Sequence, residues 1–149
     1  MIRTRGHRGL AVALFVTCAA MAATAVAHAD PAGAQSELTA ATGQGTGRVI
    51  VSPTSAGQGT FDAQVKVNIH NAAPNTTFTV TRAVDSPADG SCTSTDFVTV
   101  ATLTTSAGGA GAVEFERSGG PTTSFDLFLR VIGDDGTILE SGCMVITPK

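Results

Sequence analysis

The sequence predicts an all-β fold: a β-sandwich of about seven antiparallel strands, of immunoglobulin-like type, preceded by a signal-peptide helix and a flexible lead-in. Three observations lead there. Residues 61–69, FDAQVKVNI, alternate apolar and polar side chains without a break, the period of a half-buried strand. Other short stretches rich in Val, Ile, Phe and Thr are separated by Gly, Pro, Asn and Asp turn signals, and none has a helical period. Two cysteines beyond residue 29 suit a stapled extracellular domain. A small barrel is the alternative architecture.

The N-terminus is read first because it changes the rest. Arg3, Arg5 and Arg8 form a basic head, residues 10–27 an apolar run, and Ala27-His28-Ala29 a small-x-small ending. This is the three-part pattern of a secretory signal peptide, with the cut expected after Ala29. An uncleaved anchor at the cell surface is the alternative. Cleavage removes three of the nine basic residues and none of the twelve acidic ones. That leaves six against twelve, a net charge of −6. Such a surface argues against nucleic acid or an anionic membrane as partner. The expected organisation is residues 1–29 signal peptide, 30–46 flexible lead-in and 47–149 the β-sandwich domain.

The elements follow in order. Residues 30–46 are rich in Gly, Ala, Gln and Thr and have little to bury, although Leu38 could anchor a short first strand. RVIVS (48–52) is β-rich and stops at Pro53. In 61–69, Phe61, Ala63, Val65, Val67 and Ile69 share one face. NAAPN (71–75) is a loop, with two turn-forming asparagines and a proline. In TFTVTRAV (77–84), Phe78, Val80 and Val84 point inward and Thr77, Thr79 and Thr81 outward. Residues 85–95 form a longer loop, and 96–103 a strand. A glycine-rich hairpin (105–112) leads to VEFER (113–117), with Val113 and Phe115 inward. FDLFLRVI (125–132) is the longest apolar strand, GDDG (133–136) a tight turn, and 137–147 the final strands around Gly142. The expected core is Phe61, Val65, Val67, Phe78, Val80, Phe115, Leu127 and Leu129, with Phe97 and Phe125 adding aromatic volume.

Three stretches carry a resemblance: NIHNAAPNTTFTVTR, ATLTTSAGGAGAVEF and LFLRVIGDDGTILESGCMVITPK. There the chain resembles small secreted proteins of high-GC Gram-positive bacteria over most of residues 46–149. More loosely, it is similar to bacterial repeats with a Pro-Asn-Thr-x-Phe-x-Val strand and a Thr-x-x-Gly-x-Gly hairpin. The resemblance implies an immunoglobulin-like module without an assigned activity, and no functional residue carries over. Similarity to the apoproteins of enediyne antibiotics extends to size, secretion and fold class, and their two-disulfide pattern is missing.

The chemistry expected is sparse. Cys92 and Cys143 are expected to form a disulfide, because one remaining histidine, His70, completes no zinc spacing with them. A Ser-His-Asp triad would need His70 as base, and no Gly-x-Ser-x-Gly elbow accompanies it. The glycine-rich 43–47 and 108–112 lack a phosphate-binding lysine. Asp134 and Asp135 read as a hairpin turn, and Asn75-Thr76-Thr77, a glycosylation sequon, reads as a turn too. The threonine file 77, 79, 81 reads as ordinary strand composition. The protein is therefore expected to be no enzyme and to use no cofactor or metal. It is expected to be an exported binding or structural module for an unknown extracellular or envelope protein. Contacts are expected from loops bearing Asn71, Asn75, Asp85 and Asp89. The second reading is a carrier that holds a small ligand in its sandwich cleft. An exposed apolar patch would favour the first, and a cavity between sheets the second.

Overall fold

A computed structural model describes residues 33–54 and 61–149. They are all-β, with nine strands and no helix. The strands are β1 (Ala34–Thr42), β2 (Thr46–Thr54), β3 (Asp62–His70), β4 (Thr77–Asp85), β5 (Val98–Thr104), β6 (Gly111–Ser118), β7 (Phe125–Gly133), β8 (Ile138–Ser141) and β9 (Met144–Ile146). All pairings are antiparallel, in the order β5-β4-β7-β8-β1-β2-β3-β6, with β9 also on β7. The sheet curls until its two ends, β5 and β6, lie near one another without forming a ladder. The expected signal peptide, its helix and the cut after Ala29 lie outside the described residues.

The flexible lead-in is corrected by β1. Residues 34–42 form a nine-residue strand in which only Leu38 is fully buried. What holds it is backbone pairing on both sides. Leu38 faces Gly47 of β2 on one side and Ser141 of β8 on the other. Gly47 allows a close approach, because a Cβ there would strike the Asn68 carbonyl oxygen. Ser36 adds a side-chain acceptor for the Gly142 N–H at 2.8 Å.

The alternating strands behave as their pattern demands. Val49 and Val51 of β2, Ala63 to Ile69 at every second residue of β3, and Phe78 and Val80 of β4 fill one core. Phe125, Leu127, Leu129 and Val131 of β7 close it from the opposite side. Phe61 and Phe125 meet edge to face, 5.2 Å between centroids. Seven of the eight expected core residues are buried. Phe115 is the exception: it is half-buried, packed on the core from the unpaired edge strand β6.

Two other expectations fail for one reason. Thr81 was expected outside and is buried, and Phe97 was expected in the core and is not. The segment 86–97 folds back over the outer face of β4 and β7, making a second, smaller buried layer. Phe97 packs there edge to face on Phe128 at 6.0 Å, and the Arg130 guanidinium lies 4.3 Å from its ring centre. Arg130 also pairs with Glu140 at 2.6 Å. Asp126, fully buried under this segment, accepts the N–H groups of Asp89 (2.8 Å) and Gly90 (2.9 Å) through Oδ2. The Cys92–Cys143 disulfide pins the same segment to the approach to β9, with Cα atoms 5.5 Å apart.

Candidate ligand-binding site

The residues singled out from sequence are largely occupied with their own backbone. Asn71 and Asn75 hold left-handed conformations, φ 54° and 51°, a role that asparagine fills at little cost. The loop they bracket is bonded to the glycine hairpin, Ala72 N–H to Gly109 O and Asn75 N–H to Ser106 O. Asp85 accepts the N–H groups of Thr93 and Ser94, and Asp89 that of Ser91. His70 is exposed at the end of β3, beside Thr46, Arg48, Glu37 and Asn68 in a shallow polar hollow. No cluster of three metal-ligating side chains occurs among the described residues. Among the described residues there is no helix long and apolar enough to cross a membrane.

The better site lies where the sheet fails to close. A cleft opens between β5 and β6 and runs into the core toward the loop joining β6 to β7. Its floor is Val51, Ala63, Val65, Phe125, Leu127 and Leu129, and its rim is Val100, Phe115, Gly120 and Pro121. It encloses about 520 Å³ of space, open mouth included. The space inside it that water can fill is small, about 40 Å³, room for a few waters. A β-bulge helps shape the rim. Val80 faces Ala101 and Thr81 faces Thr99, so Val100 is the extra residue on β5 and its side chain reaches the cleft.

Two arginines break this apolar wall. In β4, Arg82 follows Phe78 and Val80 on the inward face. In β6, Arg117 follows Val113 and Phe115 in the same way, opposite Ala63 of β3. A cation thus ends the apolar file of β6 and interrupts that of β4 between Val80 and Val84. The Arg82 Nε is buried and has no hydrogen-bond partner among the described residues. Burial, and secondly the positive charge of Arg117, lower the Arg82 pKa from its ordinary value.

The lack of a counter-charge is selective. Five cations lie in the strands. Arg48 pairs with Glu37 at 2.8 Å, Lys66 with Glu114 at 4.0 Å and Arg130 with Glu140. Among the described residues only Arg82 and Arg117 of these five have no carboxylate at ion-pair distance. Acids outnumber bases two to one beyond residue 29, yet among the described residues none lines the cleft; Asp62 and Glu116 share a separate polar hollow with Arg117.

The alternation that located Phe78, Val80, Val113 and Phe115 already placed these arginines inward. A charged residue at an inward register position on two separate strands was the signal, and hydrophobic residues alone do not reveal it. Compared with known protein families, curated proteins and solved structures, the chain matches none.

Proposed function

We propose that the protein is a non-catalytic exported module that carries a small ligand in the cleft between β5 and β6. The observation that supports this reading is the cleft itself: apolar walls reaching into the core, left open between two edge strands that form no ladder with each other. The rival role, docking an extracellular or envelope protein through an apolar patch, has less support. Among the described residues, the large exposed hydrophobics are Val98, Ile132 and Val145, a number ordinary for any surface. For the finer fold we read the single continuous sheet as β2-β3-β6 packed across the core from β5-β4-β7-β8, with β1 running between them, an arrangement that supports the immunoglobulin-like reading. Export rests on the signal-peptide pattern and on the disulfide, which suits an oxidising compartment.

A neutral apolar dye, N-phenyl-1-naphthylamine, tests the carrier reading with the disulfide-intact domain. One dye per chain should bind, and Val100→Trp, which fills the mouth from the edge strand, should abolish binding while the thermal melt stays cooperative. Undiminished binding to Val100→Trp, or none to the parent, would remove the cleft from consideration.

A further inference from the structure

The cleft's charge says more about its occupant than its shape does. We infer that it takes a single-tailed amphipathic anion, the head group received between Arg82 and Arg117 and the tail laid along the apolar floor. This rests on the carrier reading above and narrows it to a ligand class.

Three features lead to that class. First, two like charges face one low-dielectric cleft from strands that share no ladder, Arg82 on β4 and Arg117 on β6. Like charges there repel unless an anion sits between them. Second, a buried guanidinium N–H without an acceptor is a rare and costly arrangement, and the Arg82 Nε is one. A head-group oxygen would supply the missing acceptor, and a planar guanidinium matches carboxylate, sulfate and phosphate oxygens alike. Third, the surroundings of the two cations are apolar: Val100, Phe115, Pro121, Phe125, Leu127 and Leu129. A free inorganic anion would leave those walls in contact with water, whereas an alkyl tail would cover them.

The floor of the cleft is almost all side-chain carbon, which suits an alkyl tail; a peptide terminus, whose backbone the free edges of β5 and β6 could pair, is the competing occupant that the titration separates.

Isothermal titration of the disulfide-intact domain with a matched series separates the possibilities. Decanoate and decyl sulfate present the anion on a straight chain, decanol removes the charge and decyltrimethylammonium reverses it. Decanoate and decyl sulfate should bind one per chain, at least tenfold tighter than decanol, with no binding of the cation. Arg82→Gln and Arg117→Gln should each weaken the anions about tenfold and leave decanol unchanged, and Arg130→Gln, outside the cleft, should change neither. Should Arg82→Gln fail to fold, Arg117→Gln at the half-exposed strand end decides alone. Decanol binding as tightly as decanoate would overturn the anion assignment and leave the carrier reading standing. No binding by any member, together with failure of the naphthylamine dye, would overturn both. A decanoate affinity unmoved by either cleft substitution would place the anion elsewhere and refute the inference. Tighter binding of a tripeptide with an apolar C-terminal residue and free carboxylate would refute it in favour of a protein terminus.

Discussion

Replacing Arg82 with methionine should make the protein more stable. Methionine keeps a flexible apolar stem of similar reach, so contacts with the cleft floor survive. What disappears is a buried Nε–H without an acceptor and a positive charge facing Arg117. A buried unsatisfied donor costs about 1–3 kcal/mol. Relief of the charge repulsion adds to the gain, but the guanidinium is partly solvated and that part is small. A net gain of about 1–2 kcal/mol is expected, roughly 4 °C in Tm for each kcal/mol in a domain of this size. The sign with pH is simple. Because the pKa of a cation is lowered on folding, protonated Arg82 opposes folding at every pH below its folded value. That opposition lifts only as pH rises through it, and a guanidinium stays charged throughout the neutral range. Arg130→Met is the matched control. Arg130 donates to Glu140 through Nε at 2.8 Å and lies over Phe97, so its loss should cost about 1–2 kcal/mol. Urea unfolding of the two variants without ligand should therefore move in opposite directions. If Arg82→Met destabilises as much as Arg130→Met, Arg82 has a partner that this reasoning has missed, and the argument from an unsatisfied cation falls.

Two further outcomes are expected. Cys92 and Cys143 lie 51 residues apart, so the double Cys→Ser variant should lose about 4 kcal/mol in the chain-entropy account. Denaturant midpoints of parent and variant measure this, and equal midpoints would show that the segment holds without its bond. Asp126→Ala should cost about 2 kcal/mol by stranding the Asp89 and Gly90 N–H groups. Hydrogen exchange should speed up at those two amides while β4 and β7 stay protected; uniform acceleration would mean that Asp126 supports the whole core.

What could be read from the sequence was what depends on side-chain period. β3 announced itself because five apolar residues from Phe61 to Ile69 share one face. β1 did not, because a strand paired on both sides needs only its backbone, and Leu38 is its single buried apolar side chain. Phe97 misled because an apolar residue on a strand approach was assigned to the main core. A returning loop instead built a second layer for it on Phe128 and Arg130. Arg82 and Arg117 sit in plain alternation, but a pattern defined by apolar residues does not show the charges that interrupt it. Asp126 is similar: a buried acid in the most apolar strand is explained only by loop amides more than thirty residues earlier in the chain.

The position of β1 bears on when the fold can form. A ribosome releases the chain from its N-terminus, so β1 emerges early, and β2 and β3 can pair with it in turn. Its other neighbour is β8, Ile138–Ser141, made after every other strand but β9. Until those residues are free, β1 has one raw edge, β7 lacks both β8 and β9, and Cys92 waits for Cys143. Completion of the sheet is thus deferred until β8 and β9 have been made, and the seam that closes it joins its first strand to its next-to-last.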